Sequence, residues 1–243
     1  MVRVNDPVIW HDLECASYRA DLPIWRELAA RAGGAVLDLG AGTGRVTLDL
    51  AERGHALTAV DSDAELLDEL ARRAEEGGLE VTRIRADARA LPDTGRFALV
   101  IAPMQFLQIM GGPSERSRLL SGVAARLLPG GLFAAAVTDL DEAVAREDAA
   151  PPLPDVTESG RWVFSSIPLD VRPQADGIVV EWLRQKVSPS GELTEQSHTQ
   201  LLEELSPDEL EREAGEHGLR PEARHELGPT RDYVGSTVVI CRR

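Results

Sequence analysis

Short apolar runs and helical patterns alternate along the first half of the chain. Apolar residues dominate three short runs, 36–39, 57–60 and 97–102, which are rich in the Val, Leu and Ile typical of strands. Two stretches between them, 45–53 and 64–74, repeat apolar residues every three or four positions, which predicts helices with one buried face. Because the run 97–102 contains no polar residue, we expect a central strand covered on both sides. The pattern predicts a doubly wound α/β fold with a mostly parallel sheet.

The pattern changes after residue 138. Residues 139–160 are acidic and proline-rich, and they are predicted to form a loop. Three strand candidates follow and predict an inserted antiparallel sheet; they cover residues 161–167, 177–187 and 192–202. A helix capped by Ser206 and two closing strands, 220–227 and 232–241, are then expected to complete the main sheet.

These patterns divide the chain into four parts. We expect an N-terminal lid with the first helix, an α/β core, an insertion that serves as a substrate lid or dimer contact, and a C-terminal part of the core. They cover residues 1–30, 31–138, 139–202 and 203–243, respectively. An exposed inserted sheet of this kind could pair across the axis of a homodimer.

A glycine-rich turn follows the first strand, within the sequence Val-Leu-Asp-Leu-Gly-Ala-Gly-Thr-Gly-Arg-Val at 36–46. Gly40, Gly42 and Gly44 stand at every second position, where glycine allows positive φ angles and close approach of a ligand to the backbone. In an open α/β sheet, such a strand-to-helix turn binds nucleotide-like ligands. The dinucleotide fingerprint, G-x-G-x-x-G, places its third glycine one residue later. The spacing disfavours a nicotinamide protein, and a turn without a ligand stays as the remaining alternative.

Acidic residues stand at or after the ends of the predicted strands. Asp38 precedes the glycine turn, and Asp61 follows Gly40 by about 20 residues, the position of a ribose-binding carboxylate. Asp87 ends the third strand candidate. The sequence from Ser62 to Glu65 matches a capping box, which predicts a helix beginning there with Asp63 in its first turn.

The glycine turn, Asp61 and Asp87 together resemble the motifs of class I S-adenosylmethionine (SAM) methyltransferases. The resemblance covers residues 30–140 by motif and 203–243 by pattern. It implies a Rossmann-like seven-stranded sheet with an antiparallel last strand, SAM as the cofactor and S-adenosylhomocysteine (SAH) as its product. It also implies that Asp87 and Ala88 hold the adenine by side chain and backbone. The implied cofactor-binding residues are Tyr18, Asp38, Gly40, Ala41, Gly42, Thr43, Gly44, Asp61, Ser62, Asp87, Ala88, Ala102 and Pro103.

Within this family, the chain is similar to bacterial small-molecule methyltransferases, which carry a short N-terminal lid. The resemblance makes Tyr18 a candidate contact to SAM; alternatively, Tyr18 and Trp10 only pack the lid. The loop after the fourth strand, 102–106, departs from the Asn/Asp-Pro-Pro-aromatic motif of enzymes that methylate exocyclic amines of bases or glutamine amides. In this loop Gln105 could orient a substrate group, whereas Met104 and Phe106 fit core packing better than an apolar substrate wall.

The chemistry implied is in-line transfer of a methyl group to an oxygen or nitrogen atom of a small molecule. The sequence singles out no catalytic base; the candidates for a catalytic role are His11, Tyr18, Gln105, Asp139 and His198. No set of residues has metal-ligand spacing, so we expect no metal. A SAM-binding regulatory protein without catalytic activity is the alternative function, although the intact glycine turn, Asp61 and Asp87 favour an enzyme.

Charge and composition restrict the partners. With 41 acidic and 26 basic residues the net charge is −15, which argues against binding to nucleic acid. No apolar run has the length of a membrane span, and the N-terminus lacks the apolar core of a signal peptide. The two cysteines, Cys15 and Cys241, suggest no disulfide framework, so we expect a cytoplasmic protein.

Overall fold

The computed structural model describes residues 6–140, 153–230 and 233–243. Its helices are α1 (Asp6–His11), α2 (Leu22–Ala32), α3 (Arg45–Ala51), α4 (Ala64–Glu76), α5 (Pro113–Arg126) and α6 (Pro207–Glu216). Its strands are β1 (Val36–Leu39), β2 (Leu57–Asp61), β3 (Val81–Arg85), β4 (Phe97–Ala102), β5 (Leu127–Val137), β6 (Asp155–Ser159), β7 (Trp162–Gln174), β8 (Gly177–Val187), β9 (Leu193–Glu203), β10 (Arg220–Leu227) and β11 (Ser236–Arg242). The chain divides into two units, which we call the core unit (20–139 and 205–243) and the insertion unit (1–19 and 140–204).

The core unit contains a seven-stranded sheet in the order β10-β11-β5-β4-β1-β2-β3. The five strands from β5 to β3 are parallel, whereas β11 runs antiparallel to β5 and β10 antiparallel to β11. This confirms the predicted α/β fold with its antiparallel last strand. Parallel strands of this kind need covering on both faces, and the helices between them provide that cover.

Strand β4 shows why the sheet is buried on both sides. All six of its residues are buried, and successive side chains point to opposite faces. Leu99 and Ile101 pack with residues of α2 and α3, while Val100 and Ala102 pack with residues of α5 and α6. The continuous apolar run therefore supplies both hydrophobic layers.

Helix capping differs from the sequence prediction at one helix and agrees at another. At α4 the Asp63 carboxylate accepts hydrogen bonds from the backbone N–H groups of Glu65 and Leu66, so Asp63 is the N-cap. The prediction that Ser62 caps this helix was wrong, because Asp63 already lies in an extended conformation that directs its carboxylate to the helix end. Ser206 caps α6 as predicted, accepting from the backbone N–H of Glu209.

The insertion unit contains a four-stranded antiparallel sheet in the order β6-β7-β8-β9. Strands β8 and β9 match two of the predicted strands, and β7 begins as predicted but continues to Gln174, seven residues beyond the predicted end at 167. Strand β6 lies in the segment predicted to be a loop. That prediction was wrong for residues 155–159, and residues 141–152 of the same segment lie outside the described residues. Pairing with β7 explains the strand, since each residue of β6 has a partner in β7.

The N-terminal segment of the insertion unit packs on this sheet. Helix α1 continues into one turn of π-helix at Asp12–Ala16. Trp10 packs edge-to-face on Phe164 of β7, with ring centroids 5.1 Å apart. The Glu14 carboxylate accepts hydrogen bonds from Ser166 Oγ at 2.8 Å and from Arg184 at 2.7 and 2.8 Å. Aromatic packing and a partly buried ionic contact therefore hold the segment to the sheet.

No helix within residues 6–140, 153–230 and 233–243 is both long enough and apolar enough to cross a membrane.

Candidate cofactor-binding site

The glycine turn joins β1 to α3 through left-handed backbone conformations. Gly40, Gly42 and Gly44 have φ angles of 67°, 54° and 93°, which other residues adopt only with strain. The backbone N–H groups of Gly40 and Ala41 both donate to the Val60 carbonyl, at 2.9 and 3.1 Å. The turn is therefore fixed against the end of β2, and the sequence places glycine where the backbone requires it.

Gly40 also leaves space for an aromatic side chain. A Cβ atom built on Gly40 would lie 2.3 Å from Cδ2 of Phe106, far inside van der Waals contact. Phe106 is partly buried and also packs against the apolar core of the core unit. Its ring therefore lies directly against the glycine turn. Phe106 both packs in the apolar core and borders the candidate site.

Asp61, at the end of β2, is held by backbone donors on two sides. Its Oδ2 accepts from the Gly42 N–H at 2.8 Å and its Oδ1 from the Asp63 N–H at 2.9 Å. A carboxylate has about four lone-pair sites, so each oxygen of Asp61 can accept a further hydrogen bond. Asp61 is thus orientated to bind hydroxyl groups, while the neighbouring Ser62 is exposed.

Asp38, in β1 just before the turn, is buried with one carboxylate oxygen left without a donor. Its side chain is 1% exposed, and Oδ2 accepts from the Thr47 hydroxyl at 2.6 Å. In the part of the chain that the structure describes, Oδ1 has no hydrogen-bond partner. Burial raises the pKa of Asp38 to about 7, against the opposing effects of the Thr47 hydrogen bond and the Arg45 guanidinium. A carboxylate in this state is stabilised by a donor or a cation placed at Oδ1.

Arg45, the first residue of α3, forms a second buried contact below the turn. Its guanidinium donates to both oxygens of Asp21, at 2.5 and 2.7 Å. Asp21 also accepts from the indole N–H of Trp25 at 2.8 Å. These contacts fix the start of α3, where the glycine turn ends.

The turn after β3 places Asp87 and Ala88 at the same edge of the sheet. Asp87 Oδ1 accepts from the Arg89 backbone N–H at 2.9 Å and caps a short 3-10 turn, Ala88–Ala90. The Arg89 side chain donates to both carboxylate oxygens and lowers the pKa of Asp87 to about 2. Ala88 is buried. The sequence analysis did not identify Arg89, and only its place two residues after Asp87 could have indicated it.

The loop after β4 is fixed to the end of β5. Ala102 is fully buried, and Met104 has a φ angle of 55°, which is rare for a residue other than glycine. The Gln105 side-chain amide donates to the Thr138 hydroxyl at 2.7 Å. Gln108 binds both the N–H and the carbonyl of Thr138, at 2.8 and 3.0 Å. Gln105 is thereby held at the carboxyl edge of the sheet.

The other candidate catalytic residues are divided between the two units. Asp139 is exposed in the core unit, whereas His11, Tyr18 and His198 belong to the insertion unit. His11 Nδ1 lies 3.9 Å from the Asp12 carboxylate, and Tyr18 is buried.

His198 has the most distinctive surroundings of the four. It lies beside Trp182, with ring centroids 5.8 Å apart. Burial and the Arg184 charge lower its pKa, against the opposing charge of Glu14. His198 is therefore disposed to be a neutral imidazole.

Four strand ends thus carry the residues that the sequence analysis selected. The turn after β1, Asp61 after β2, Asp87 and Ala88 after β3, and Ala102 to Gln105 after β4 lie at the carboxyl edge of the parallel sheet. This edge is where open α/β sheets bind ligands. The set fits an adenosyl group: Asp61 offers acceptors for ribose hydroxyls, Asp87 an acceptor for an amino group, and Asp38 Oδ1 an acceptor for an ammonium. Within the described ranges, no group of three or more His, Cys, Asp or Glu residues could hold a metal ion.

Comparison with known proteins finds methyltransferases that are similar to part of the chain. Residues 36–131 match the family model described as "Methyltransferase domain". The cypemycin N-terminal methyltransferase of Streptomyces sp is 34% identical over 99 residues, which are 41% of this chain and 40% of that protein. The match therefore spans less than half the length of this relative.

The structure has the fold of class I SAM-dependent methyltransferases. The sugar N-methyltransferase KedS8 from Streptoalloteichus sp superposes with a TM-score of 0.77 over 100% of this chain and 94% of its own, at 16% identity. SAM-bound CalS10, an amino pentose methyltransferase from Micromonospora echinaspora, gives a TM-score of 0.71 over 100% and 98%, also at 16% identity. The chain is therefore similar to bacterial small-molecule methyltransferases, as the sequence motifs predicted.

Proposed function

We propose that this protein is a SAM-dependent methyltransferase that methylates an amine nitrogen of a small molecule. Bound SAM would supply a methyl carbon on a sulfonium sulfur, a leaving group that departs as a neutral thioether. The protein then has to bind the cofactor, align the acceptor with the methyl carbon and exclude water. The residues at the carboxyl edge of the sheet can carry out these tasks.

The observation that carries the proposal is the free oxygen of Asp38. Leaving a buried carboxylate oxygen without a donor destabilises the protein by about 1–3 kcal/mol or more. Such a group requires an explanation, and a bound ligand or ion that donates to it is one. The α-ammonium of SAM has the charge and the donors that Oδ1 of Asp38 lacks.

The other contacts follow from the groups that each strand end presents. Asp61 would bind the ribose hydroxyls, since both its oxygens keep acceptor capacity. Asp87 and the Ala88 backbone would hold the adenine, and the exposed Ser62 would lie beside it. Tyr18 stays a proposed contact to the methionine part of the cofactor.

Two observations favour nitrogen over oxygen as the methyl acceptor. The loop 102–112, Ala-Pro-Met-Gln-Phe-Leu-Gln-Ile-Met-Gly-Gly, contains no ionisable side chain that could serve as a base. A neutral amine attacks through its lone pair and loses its proton afterwards, whereas a hydroxyl requires a base during the transfer. The names of the three related proteins also specify an N-terminus, a sugar nitrogen or an amino sugar.

Gln105 is the residue that we assign to the acceptor. With its amide nitrogen held by Thr138, the amide oxygen can accept a hydrogen bond from the N–H of an amine. That hydrogen bond strengthens as positive charge develops on the nitrogen, which favours the transition state over the ground state.

Incubation with SAM carrying an isotopically labelled methyl group tests the proposal. The substrates would be matched pairs of amino sugars and hydroxy sugars, together with short peptides that have free or acetylated N-termini. We expect label on free amines alone, and a Gln105→Ala variant with lower kcat and little change in SAH affinity. Label on hydroxyl oxygens would contradict N-methylation. Tight SAH binding without transfer to any member of the panel would support the catalytically inactive SAM-binding protein instead.

A further inference from the structure

Arg89 makes an unusually complete contact with the proposed adenine-binding carboxylate. Its Nε lies 2.9 Å from Asp87 Oδ1 and 3.1 Å from Oδ2, and one terminal nitrogen lies 2.6 Å from Oδ2. The backbone N–H of the same residue donates to Oδ1 at 2.9 Å. One residue thus supplies main-chain and side-chain donors to both oxygens of Asp87.

The remaining acceptor capacity of Asp87 lies mainly at one oxygen. Oδ1 accepts two hydrogen bonds of 2.9 Å, from the Arg89 backbone N–H and from Nε. Oδ2 accepts one short hydrogen bond from the terminal nitrogen at 2.6 Å and only the longer 3.1 Å contact of the shared Nε. A further donor that displaces this longer contact can therefore approach Oδ2 more readily than Oδ1. The carboxylate is also kept ionised, since the Arg89 contacts hold its pKa at about 2. Asp87 is thus a hydrogen-bond acceptor at every physiological pH.

Arg89 also connects two loops of the core unit. Its second terminal nitrogen donates to the Met110 carbonyl at 3.2 Å, and its Nε lies 3.7 Å from the Glu115 carboxylate on α5. Met110 closes the segment that begins with the loop after β4. The guanidinium therefore fixes the turn after β3 relative to the segment between β4 and α5.

The geometry points to Arg89 as a positioning residue that makes the site selective for a 6-aminopurine. This inference rests on the proposed function, since it concerns the adenine of SAM and SAH. Arg89 acts through Asp87 and is not itself a catalytic residue. By fixing the direction of Oδ2, it favours a donor at purine position 6 and repels a carbonyl oxygen there.

Calorimetry with two ligands tests this role without any measurement of catalysis. The probes are SAH and S-inosylhomocysteine, in which an oxygen replaces the 6-amino group of SAH. The variants are Arg89→Gln and Arg89→Lys. The control is Arg72→Gln, which removes an exposed arginine of α4 whose ion pairs are with Glu69 and Glu76 of the same helix. Thermal unfolding of each variant shows whether it is folded.

We expect the wild type to prefer SAH by at least about tenfold, the range of one hydrogen bond to a charged group. Arg89→Gln should weaken SAH binding about 5- to 20-fold and leave S-inosylhomocysteine binding almost unchanged. Arg89→Lys keeps the positive charge but lacks the planar set of guanidinium donors, so its loss of SAH affinity should be intermediate. If the Gln variant does not fold, the Lys variant provides the test. The Arg72 control should behave as the wild type.

Three results would overturn the inference. An equal loss of affinity for both ligands in the Arg89 variants would indicate a general structural effect. Unchanged affinities would show that Arg89 has no role in adenine binding. Tighter SAH binding in Arg89→Gln would mean that Arg89 competes with adenine for Asp87. If the wild type binds neither ligand, the proposed function itself fails, which is distinguishable from these three results.

Discussion

The Asp61 carboxylate accepts a hydrogen bond from the Gly42 backbone N–H at 2.8 Å, across 19 residues of sequence. This contact joins the proposed ribose-binding residue to the glycine turn. The two motifs therefore form one structural unit, because a change at Asp61 also removes an acceptor from the turn. Other contacts also hold the turn, and the effect of each on stability and on SAH binding can be measured separately.

Replacement of Gly40 by alanine should abolish cofactor binding. The added methyl group would require both a φ angle of 67° and a position 2.3 Å from the Phe106 ring, so the turn or the ring must move. We expect a loss of about 2–4 kcal/mol in the free energy of unfolding, as for overpacking combined with backbone strain. Urea denaturation and SAH titration measure the two effects.

Gly54→Ala is the matched control for this substitution. Gly54 also has a positive φ, 83°, but a Cβ there would meet nothing within 4 Å. We expect a loss of about 1 kcal/mol from backbone strain alone, with SAH affinity unchanged. Equal effects of the two substitutions on SAH binding would refute the role of the Gly40–Phe106 contact.

Asp38 should make the stability of the protein depend on pH. Its pKa is raised from 3.8 to about 7, so between these values the folded state holds a proton that the unfolded state has lost. Stability contributed by the protonated group is therefore present at low pH and falls as the pH rises through the folded pKa. Relative to an Asp38→Asn variant, the wild type should lose about 1–3 kcal/mol between pH 5 and pH 8.

Urea denaturation of both proteins at the two pH values gives this difference directly. The comparison cancels the titration of other groups, because only Asp38 differs. SAH binding should be weakened in the Asn variant, which cannot offer a carboxylate to an ammonium. A constant stability difference between pH 5 and pH 8 would show that Asp38 has an ordinary pKa.

The buried ion pair between α5 and α6 should stabilise the core unit only while both partners are present. Arg116 donates to Glu213 at 2.9 and 3.0 Å, and both side chains are almost completely buried. Arg116→Met should destabilise by about 3–5 kcal/mol, because it removes the guanidinium that pairs with the buried Glu213 carboxylate. Glu213→Leu should cost less, because Glu209 also lies 4.0 Å from the Arg116 guanidinium. The double variant should recover most of the loss, as a double-mutant cycle would measure. Additive losses would contradict the pairing.

The two cysteines should differ in their reaction with iodoacetamide. Cys241 in β11 is fully buried, and burial raises the pKa of its thiol to about 12, whereas Cys15 is partly exposed. At pH 8, mass spectrometry of the folded protein should find the label on Cys15, with Cys241 labelled only in urea. Labelling of both at similar rates in the folded protein would contradict the burial of β11.

The sequence predicted the core unit well because its signals are local. The apolar run of β4 and the glycine spacing after β1 each specify a structure within a few residues. Strand β6 had no such signal: its sequence, Asp-Val-Thr-Glu-Ser, is largely exposed, and its pairing with β7 creates the strand. Sheet pairing of this kind depends on a partner that a single segment does not reveal.

The sequence predicted the hydrogen-bond acceptors of the candidate site, but not the residues that hold these acceptors in place. Asp61 and Asp87 stand at recognisable positions after strands. The contact of Phe106 with Gly40 and that of Arg89 with Met110 join distant parts of the chain, so no pattern in one segment predicts them. The free oxygen of Asp38 likewise depends on the burial of the whole β1 strand, which only the three-dimensional structure provides.

The central claim, that the protein binds SAM at the glycine turn, is tested most directly by calorimetry with SAM, SAH and NADH. The wild type, Asp61→Ala and Asp93→Ala would be compared, the last removing a carboxylate that is 82% exposed in a loop. We predict binding of both sulfur nucleotides and not of NADH, at least a tenfold loss in Asp61→Ala, and no change in Asp93→Ala. Absence of SAM and SAH binding to the folded wild type, or preferential binding of NADH, would contradict the account.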